Sequence, residues 1–190
     1  MATVKSQKSF TLVELLVAVT IFSLISTIST GILVSSLRAQ KKLLASQELS
    51  DQVSFLIEYM SRTIRMAKKD LSGDCLTTAG AKYNYETNEA GRDRIRFLNY
   101  QQKCQEFFLE GLILKERKST DSSAANFQSP SPLTSANLQV NLFKIGPSDS
   151  WDQNDNDQPR VTFSLGIFGK EQTKIKIQTT ISQRNPDIGN

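Results

Sequence analysis

The sequence predicts an α+β protein in which one long amino-terminal helix packs on a carboxy-terminal antiparallel β-sheet. Three observations indicate this fold. Residues 10–71 contain no Pro and only one Gly, and their apolar residues first run together and then recur every three or four positions. From about residue 94 the apolar residues alternate with polar ones, as in strands. Gly73, between these two regions, is a signal for the end of the helix.

The first half of the predicted helix is long and apolar enough to cross a membrane. Residues 15–34 carry no charge, and as a helix rising about 1.5 Å per residue they would span about 30 Å, one hydrocarbon core. A secretory signal peptide is the alternative, and Lys5 and Lys8 supply its basic start. A signal peptide, however, has a shorter apolar core. Because this run continues into an amphipathic pattern, we favour a retained transmembrane helix.

Small polar residues recur within the predicted span. Thr20, Ser23, Thr27 and Thr30 lie three or four positions apart on one helix face. Such residues permit close contact with another helix. Alternatively, their hydroxyls bond back to carbonyls of their own helix.

The second half of the predicted helix, to about Leu71, is amphipathic. Its apolar stripe consists of Leu49, Val53, Leu56, Ile57, Met60, Ile64 and Ala67. A stripe of this width is typical of a helix that packs on the core of a domain. We therefore expect the two halves of the helix to have different surroundings.

The strands are predicted from alternation. Ile95 and Phe97, a longer apolar run over residues 107–114, and an alternating stretch over residues 138–142 are candidates. Residues 161–167 and 175–181 are the clearest, and a turn at residues 169–172 joins them into a hairpin. Because a lone hairpin is marginally stable, these strands should form a sheet on the amphipathic half of the helix. The Ser-rich residues 119–136 and the polar residues 147–159 are predicted to be exposed loops.

Two cysteines follow the helix. Cys75 lies just past its predicted end and Cys104 lies between two predicted strands. If the bulk of the chain is outside the cytoplasmic membrane, the oxidising surroundings favour a disulfide. Closing this loop would stabilise the fold by about 3 to 4 kcal/mol. Two unpaired thiols are the alternative.

An acidic stretch near the carboxy terminus is a weak calcium candidate. Its oxygen ligands are Asp152, Asn154, Asn156 and Asp157. The match to a helix-loop-helix calcium site is poor, since Asp157 stands where such a loop needs Gly and Phe163 where it needs a bidentate Glu. A solvated polar turn before a strand is the alternative, and we expect no other cofactor.

The composition argues against catalysis and against nucleic-acid binding. The chain has no His, which removes the commonest general base and metal ligand. Its net charge is +4, and its basic residues gather only at residues 62–69, where cations offset the dipole at the end of a helix. We therefore expect no enzyme activity and no direct contact with nucleic acid.

A carboxylate, Glu14, stands at the start of the apolar segment. A charge in hydrocarbon costs roughly 2.5 kcal/mol or more, so its position suggests a function. The surrounding stretch KSFTLVELLVAVTIFSLIS, residues 8–26, resembles the amino-terminal signal of type IV prepilins and of the pseudopilins of type II secretion and DNA-uptake machines. The resemblance comprises a short basic leader, the small residue Ser9, the segment FTLVELLVA, and an apolar helix that continues into an amphipathic one.

The resemblance implies a processing pathway and an orientation. Prepilin peptidase would cut between Ser9 and Phe10 and methylate the new amino group of Phe10, although Ser9 stands where the family usually has Gly. Residues 1–9 would be the leader, 10–34 the transmembrane and filament-core half of the helix, and 35–190 an extracytoplasmic domain with a type IV pilin-like fold. The protein would lie in the inner membrane and then in a cell-surface or periplasmic filament.

The resemblance also implies a structural role. The chain would be a filament subunit whose partners are prepilin peptidase, other pilin or pseudopilin subunits and the inner membrane. Glu14 would pair with the amine of Phe10, in its own or a neighbouring subunit. The segment from Arg62 to Arg65 is similar to a turn in J-class pseudopilins and W-class minor pilins, and the length beyond the span favours a minor subunit. A signal-anchored binding or adhesion module is the alternative.

Overall fold

A computed structural model of the protein describes residues 11–76, 84–88, 91–146 and 158–184. Within these ranges the chain forms one helix followed by antiparallel strands, the α+β arrangement of a type IV pilin-like fold. The elements are α1 (Leu12–Arg65), β1 (Tyr85–Thr87), β2 (Arg94–Leu98), β3 (Cys104–Glu110), β4 (Ile113–Lys118), β5 (Ser131–Pro132), β6 (Gln139–Ile145), β7 (Arg160–Phe168) and β8 (Lys174–Ser182).

The chain divides into two compact units, Met1–Leu43 and Leu44–Asn190. In the described part of the first unit, large apolar side chains of α1 are exposed, from 41% for Val34 to 80% for Leu12. By length and composition this part of α1 can cross a membrane. A helix whose exposed side chains are apolar nearly all round suits lipid or contact with other helices.

The second unit is built on the amphipathic part of α1. The predicted stripe is confirmed for five of its seven residues, Leu49, Val53, Leu56, Met60 and Ile64, which are each at most 2% exposed. Ile57 is only partly buried against the core, and Ala67 is buried but lies past the end of the helix. These side chains share one core with residues from both sheets, including Phe97, Phe107, Leu114, Val140, Phe143, Phe163, Leu165 and Ile167. Burying each such side chain stabilises the fold by about 1.5 to 3 kcal/mol.

The strands form two antiparallel sheets rather than one. One sheet has the order β1-β2-β3-β4-β5 and the other the order β6-β7-β8. The predicted carboxy-terminal hairpin is confirmed, since β7 and β8 pair from Arg160 opposite Ser182 to Phe168 opposite Lys174. A short 3-10 turn at Lys170–Gln172 joins them.

The helix ends earlier than predicted. It stops at Arg65, whereas the sequence suggested about Leu71. Past this end, Lys68 forms a β-bridge with Leu98. The buried carboxylate of Asp70 accepts three backbone N–H bonds, at 2.9 to 3.0 Å, from the turn that follows. An Asp side chain that satisfies the backbone in this way competes with helix formation.

The apolar run over residues 107–114 was expected to be one strand, but it contains the end of β3, a turn and the start of β4. Gly111 and Leu112 form a turn between β3 and β4, which pair antiparallel from Gln105 opposite Lys118 to Glu110 opposite Ile113. Gly111 has φ = 62°, a left-handed conformation that Gly adopts with little cost. The glycine therefore ends one strand and begins the next.

The Ser-rich residues 119–136 were predicted to be an exposed loop, and this is wrong in part. Ser119 and Thr134 are buried, and β5 adds to the edge of β4. Phe127 is half-buried, with the guanidinium groups of Arg96 and Arg117 at 5.5 and 4.5 Å from its ring centre. Composition gave no signal of these tertiary contacts.

Candidate functional site

Two of the predicted sites lie outside the described residues. They are the cleavage and methylation site, Ser9 and Phe10, and the calcium candidate, Asp152, Asn154, Asn156 and Asp157. Both therefore stay predictions. Within the described ranges, no group of three or more His, Cys, Asp or Glu residues is arranged to hold a metal ion.

Glu14 closes a hydrogen-bonded ring at the start of α1. One oxygen of its carboxylate accepts bonds from the backbone N–H and the hydroxyl of Thr11, both at 3.0 Å. In return, the backbone N–H of Glu14 donates to the Thr11 hydroxyl at 3.3 Å. This reciprocal arrangement is a capping box, in which two unpaired donors of the first helical turn are satisfied.

The sequence carries a signal for this cap. A Thr followed three residues later by Glu, just before an apolar run, is the pattern of a capping box, and Thr11 and Glu14 have this spacing. A carboxylate is favourable here because the positive end of the helix dipole lies at the first turn. The cap therefore fixes the start of the helix and the position of the charge together.

The small polar residues of the span bond back to their own helix. The hydroxyls of Thr20, Ser23, Thr27 and Thr30 each donate to a carbonyl three or four residues earlier, at 2.8 to 3.0 Å. These bonds agree with the second interpretation from the sequence, and close contact with another helix stays a prediction. Hydroxyls satisfied in this way need no partner helix to enter hydrocarbon.

Cys75 and Cys104 form a disulfide. The S–S distance is 1.96 Å and the Cα atoms are 5.3 Å apart. Both cysteines are buried in a small cluster with Leu76 and Leu98, separate from the main core. The bond ties the turn that follows α1 to the start of β3.

A charged cluster that the sequence analysis did not single out lies on one face of the five-stranded sheet. Arg96, Glu106 and Arg117 are opposite one another on β2, β3 and β4. The Glu106 side chain is fully buried and makes ion pairs with both of them and with Arg94. The charged residues of the three strands are visible in the sequence, but their pairing depends on strand register.

A second polar network connects α1 to the same sheet. The Tyr59 hydroxyl donates to Glu116 at 2.6 Å and accepts from Lys118 at 2.8 Å. Burial raises the pKa of Tyr59, and the hydrogen bond to Glu116 raises it further. The network fixes the helix on the sheet through directional bonds as well as apolar packing.

The comparison with known proteins concerns the amino terminus. Residues 4–30 match the family model of the prokaryotic N-terminal methylation motif. The chain carries the prepilin-type methylation signal. No curated protein and no solved structure matches the chain. The prepilin-type motif and an apolar first half of α1 that is long enough to cross a membrane are both consistent with a single-pass, membrane-anchored protein.

Proposed function

We propose that the chain is a structural subunit of a type IV pilus, type II secretion or DNA-uptake filament, with no reaction of its own. Prepilin peptidase cuts between Ser9 and Phe10 and methylates Phe10. The mature chain then adds to the filament through the apolar half of α1. The observation that carries this proposal is the methylation motif at residues 4–30, continued by a helix able to span a membrane.

The capping box gives Glu14 a direct relation to the new amine. Its carboxylate lies 3.0 Å from the backbone nitrogen of Thr11. Covalent geometry keeps the nitrogen of Phe10 within about 4 Å of that nitrogen, whatever the conformation. Cleavage would therefore create a cation within about 7 Å of a carboxylate that is already held in place. A paired charge costs much less in a low-dielectric setting than a single one.

The length of the domain beyond the span supports the finer proposal of a minor subunit. The segment Arg62–Arg65, by its resemblance, supports the J or W class. The competing proposal is a signal-anchored binding or adhesion module, for which the span is only a tether. A tether needs no charge in the span. Substitution of Glu14 should therefore affect a filament subunit but not a tethered module.

Two substitutions at Glu14 distinguish the effect of its charge from its effect as a helix cap. Gln at this position can still complete a capping box but has no charge, whereas Leu removes both. If the carboxylate serves assembly, Glu14→Gln and Glu14→Leu both leave processed protein in the membrane fraction and deplete it from filaments. Glu14→Asp, which keeps the charge, should retain part of the assembly.

The result that contradicts the proposal is equally specific. If the protein is a tethered module, all three variants distribute between membrane and surface as the wild type does. If Glu14→Gln behaves as wild type and only Glu14→Leu fails, the residue acts as a helix cap and not as a charge. Fractionation with immunoblotting against the domain measures each outcome.

A further inference from the structure

The last strand, β8, forms one edge of the three-stranded sheet. It pairs with β7 along its whole length, from Arg160 opposite Ser182 to Phe168 opposite Lys174, without a register shift. Within the described ranges, no strand pairs with its other edge. Such an edge presents unpaired backbone N–H and C=O groups, to which a further strand can bind.

Two hydrogen bonds at the ends of the hairpin show which backbone groups of β8 are unpaired. The N–H of Gln183 donates to the carbonyl of Pro159, and the N–H of Gly169 donates to the carbonyl of Thr173, both at 2.9 Å. In antiparallel strands, residues that are directly opposite and hydrogen-bonded recur at every second position. The odd-numbered residues of β8 therefore bond to β7, and the backbone groups of its even-numbered residues point to the free edge.

The end of α1 covers the position that follows this edge, but not the edge itself. The N–H of Arg184, the next even-numbered residue, donates to the carbonyl of Arg65 at 2.8 Å. This bond agrees with the direction derived for the even-numbered N–H groups. From Lys174 to Ser182, the backbone groups of the even-numbered residues bond to no other described residue, and their side chains are all exposed.

Most of the features that usually protect an edge strand are missing from β8. It has nine residues and contains neither Pro nor a bulge. The edges of the other sheet are much shorter, since β1 has three residues and β5 has two, one of them Pro132. What protects β8 is a pair of exposed lysines near its start, Lys174 and Lys176. Lysine on an edge opposes pairing with a basic strand, but it attracts an acidic one.

The three-stranded sheet is basic throughout. Its strands contain no Asp or Glu, and their cations are Lys144, Arg160, Lys174 and Lys176. Neither lysine of β8 forms an ion pair with a described residue. Pairing with the same edge of a second copy would bring two basic sheets together, so charge complementarity favours an acidic partner over a second copy.

We infer that the free edge of β8 binds an extended acidic segment of another protein, which adds to the sheet as a further antiparallel strand. Backbone hydrogen bonds to the even-numbered residues supply affinity, and alternate side chains supply specificity. Acidic side chains of the segment stand opposite Lys174 and Lys176. Apolar ones stand opposite Ile175 and Ile177, which are only partly buried against the core. The inference does not depend on the proposed filament function, because the edge lies in the second unit.

The test uses a synthetic peptide as the probe and the full-length protein in detergent. The fluorescent peptide is as long as the nine residues of β8 and alternates Val with Thr or Glu. Its two Glu residues lie opposite Lys174 and Lys176 in antiparallel pairing. Fluorescence anisotropy should show saturable binding, and replacing both Glu residues by Lys should weaken it roughly fivefold, the scale of two exposed ion pairs.

N-methylation of the peptide tests the geometry without changing the protein. A methyl group on the nitrogen of the Thr opposite Gln178 removes an N–H that faces β8, and it should weaken binding by about tenfold or more. The matched control carries the methyl group on the neighbouring Val, whose nitrogen points away from β8. This change should alter the dissociation constant by less than about twofold.

Two substitutions at Gln178 repeat the test on the protein. Gln178→Pro removes one N–H at the free edge, a position at which a strand tolerates Pro, whereas Gln178→Ala removes only the side chain. The first should weaken binding of the peptide about tenfold and the second about twofold or less. Pulse proteolysis over a urea series measures whether both variants are folded.

Three results would overturn the inference. They are an acidic peptide that does not bind saturably, a lysine peptide that binds as tightly as the acidic one, and equal effects of the two methyl groups. Light scattering of the protein without peptide provides a further test. Dimers that disappear in Gln178→Pro would show that the edge binds a second copy, which also contradicts the inference.

Discussion

Replacing the buried Glu106 by Gln should destabilise the second unit strongly. The Glu106 side chain is fully buried, and its most buried ion-pair partner, Arg96, is 8% exposed. The Glu106 Oε1 atom accepts two hydrogen bonds from the Arg96 guanidinium at 3.1 and 3.2 Å. It also forms an ion pair with Arg94, whose Nε atom is 3.3 Å away. Arg117 pairs with the second oxygen.

The magnitude follows from what the substitution leaves behind. Breaking a buried ion pair by removing one partner costs about 3 to 5 kcal/mol, because the other charge stays buried without compensation. Gln keeps one acceptor oxygen, and Arg94 and Arg117 are about one-third exposed and can turn to water. We therefore expect a loss of about 3 kcal/mol in the free energy of unfolding, a large part of the 5 to 15 kcal/mol that is usual for a domain.

Glu110 is the matched control, because it also lies on β3 and pairs with a cation of β4. Its side chain is 61% exposed, so Glu110→Gln should cost less than about 1 kcal/mol. Pulse proteolysis of the full-length protein over a urea series measures both variants. Equal losses for the two substitutions, or a loss below about 1 kcal/mol for Glu106→Gln, would refute the reasoning.

Two further predictions concern the turn after α1 and the loop after β4. Removing the bond between Cys75 and Cys104, by reduction or by Cys104→Ser, should lower the free energy of unfolding by about 3 to 4 kcal/mol, and stability that does not respond to reductant would contradict this. The backbone N–H of Ser123 lowers the pKa of Asp121, so the ionised carboxylate stabilises the fold above its unfolded pKa of about 3.9. This contribution disappears as the pH falls through the folded pKa. The difference in the free energy of unfolding between wild type and Asp121→Asn should therefore shrink below about pH 4. If proteolysis in acid shows a difference that stays constant with pH, the prediction is wrong.

The helix and the last hairpin were predictable because their signals are local. The spacing of Leu49, Val53 and Leu56 identifies the buried side of α1 without knowledge of its partner. The alternation on both sides of residues 169–172 likewise fixes a hairpin. The cap formed by Thr11 and Glu14 is equally local, because its signal is the spacing of three residues between them.

The division into two sheets and the Glu106 cluster were not predictable in this way. Both depend on which strands pair and in which register, and a shift by one residue would move every side chain to the opposite face. Nothing near Glu106 in the sequence shows that Arg96 and Arg117 stand opposite it. The same holds for Phe127, whose cationic partners come from β2 and β4.

Mass spectrometry of the native amino terminus tests the central proposal most directly. The protein is isolated from cells that contain prepilin peptidase, and its amino-terminal peptide is fragmented to locate both the first residue and the methyl group. Processing as a filament subunit predicts a chain that begins at methylated Phe10. A chain that begins at Met1, or one cut near Ser35 as a secreted protein would be, contradicts it.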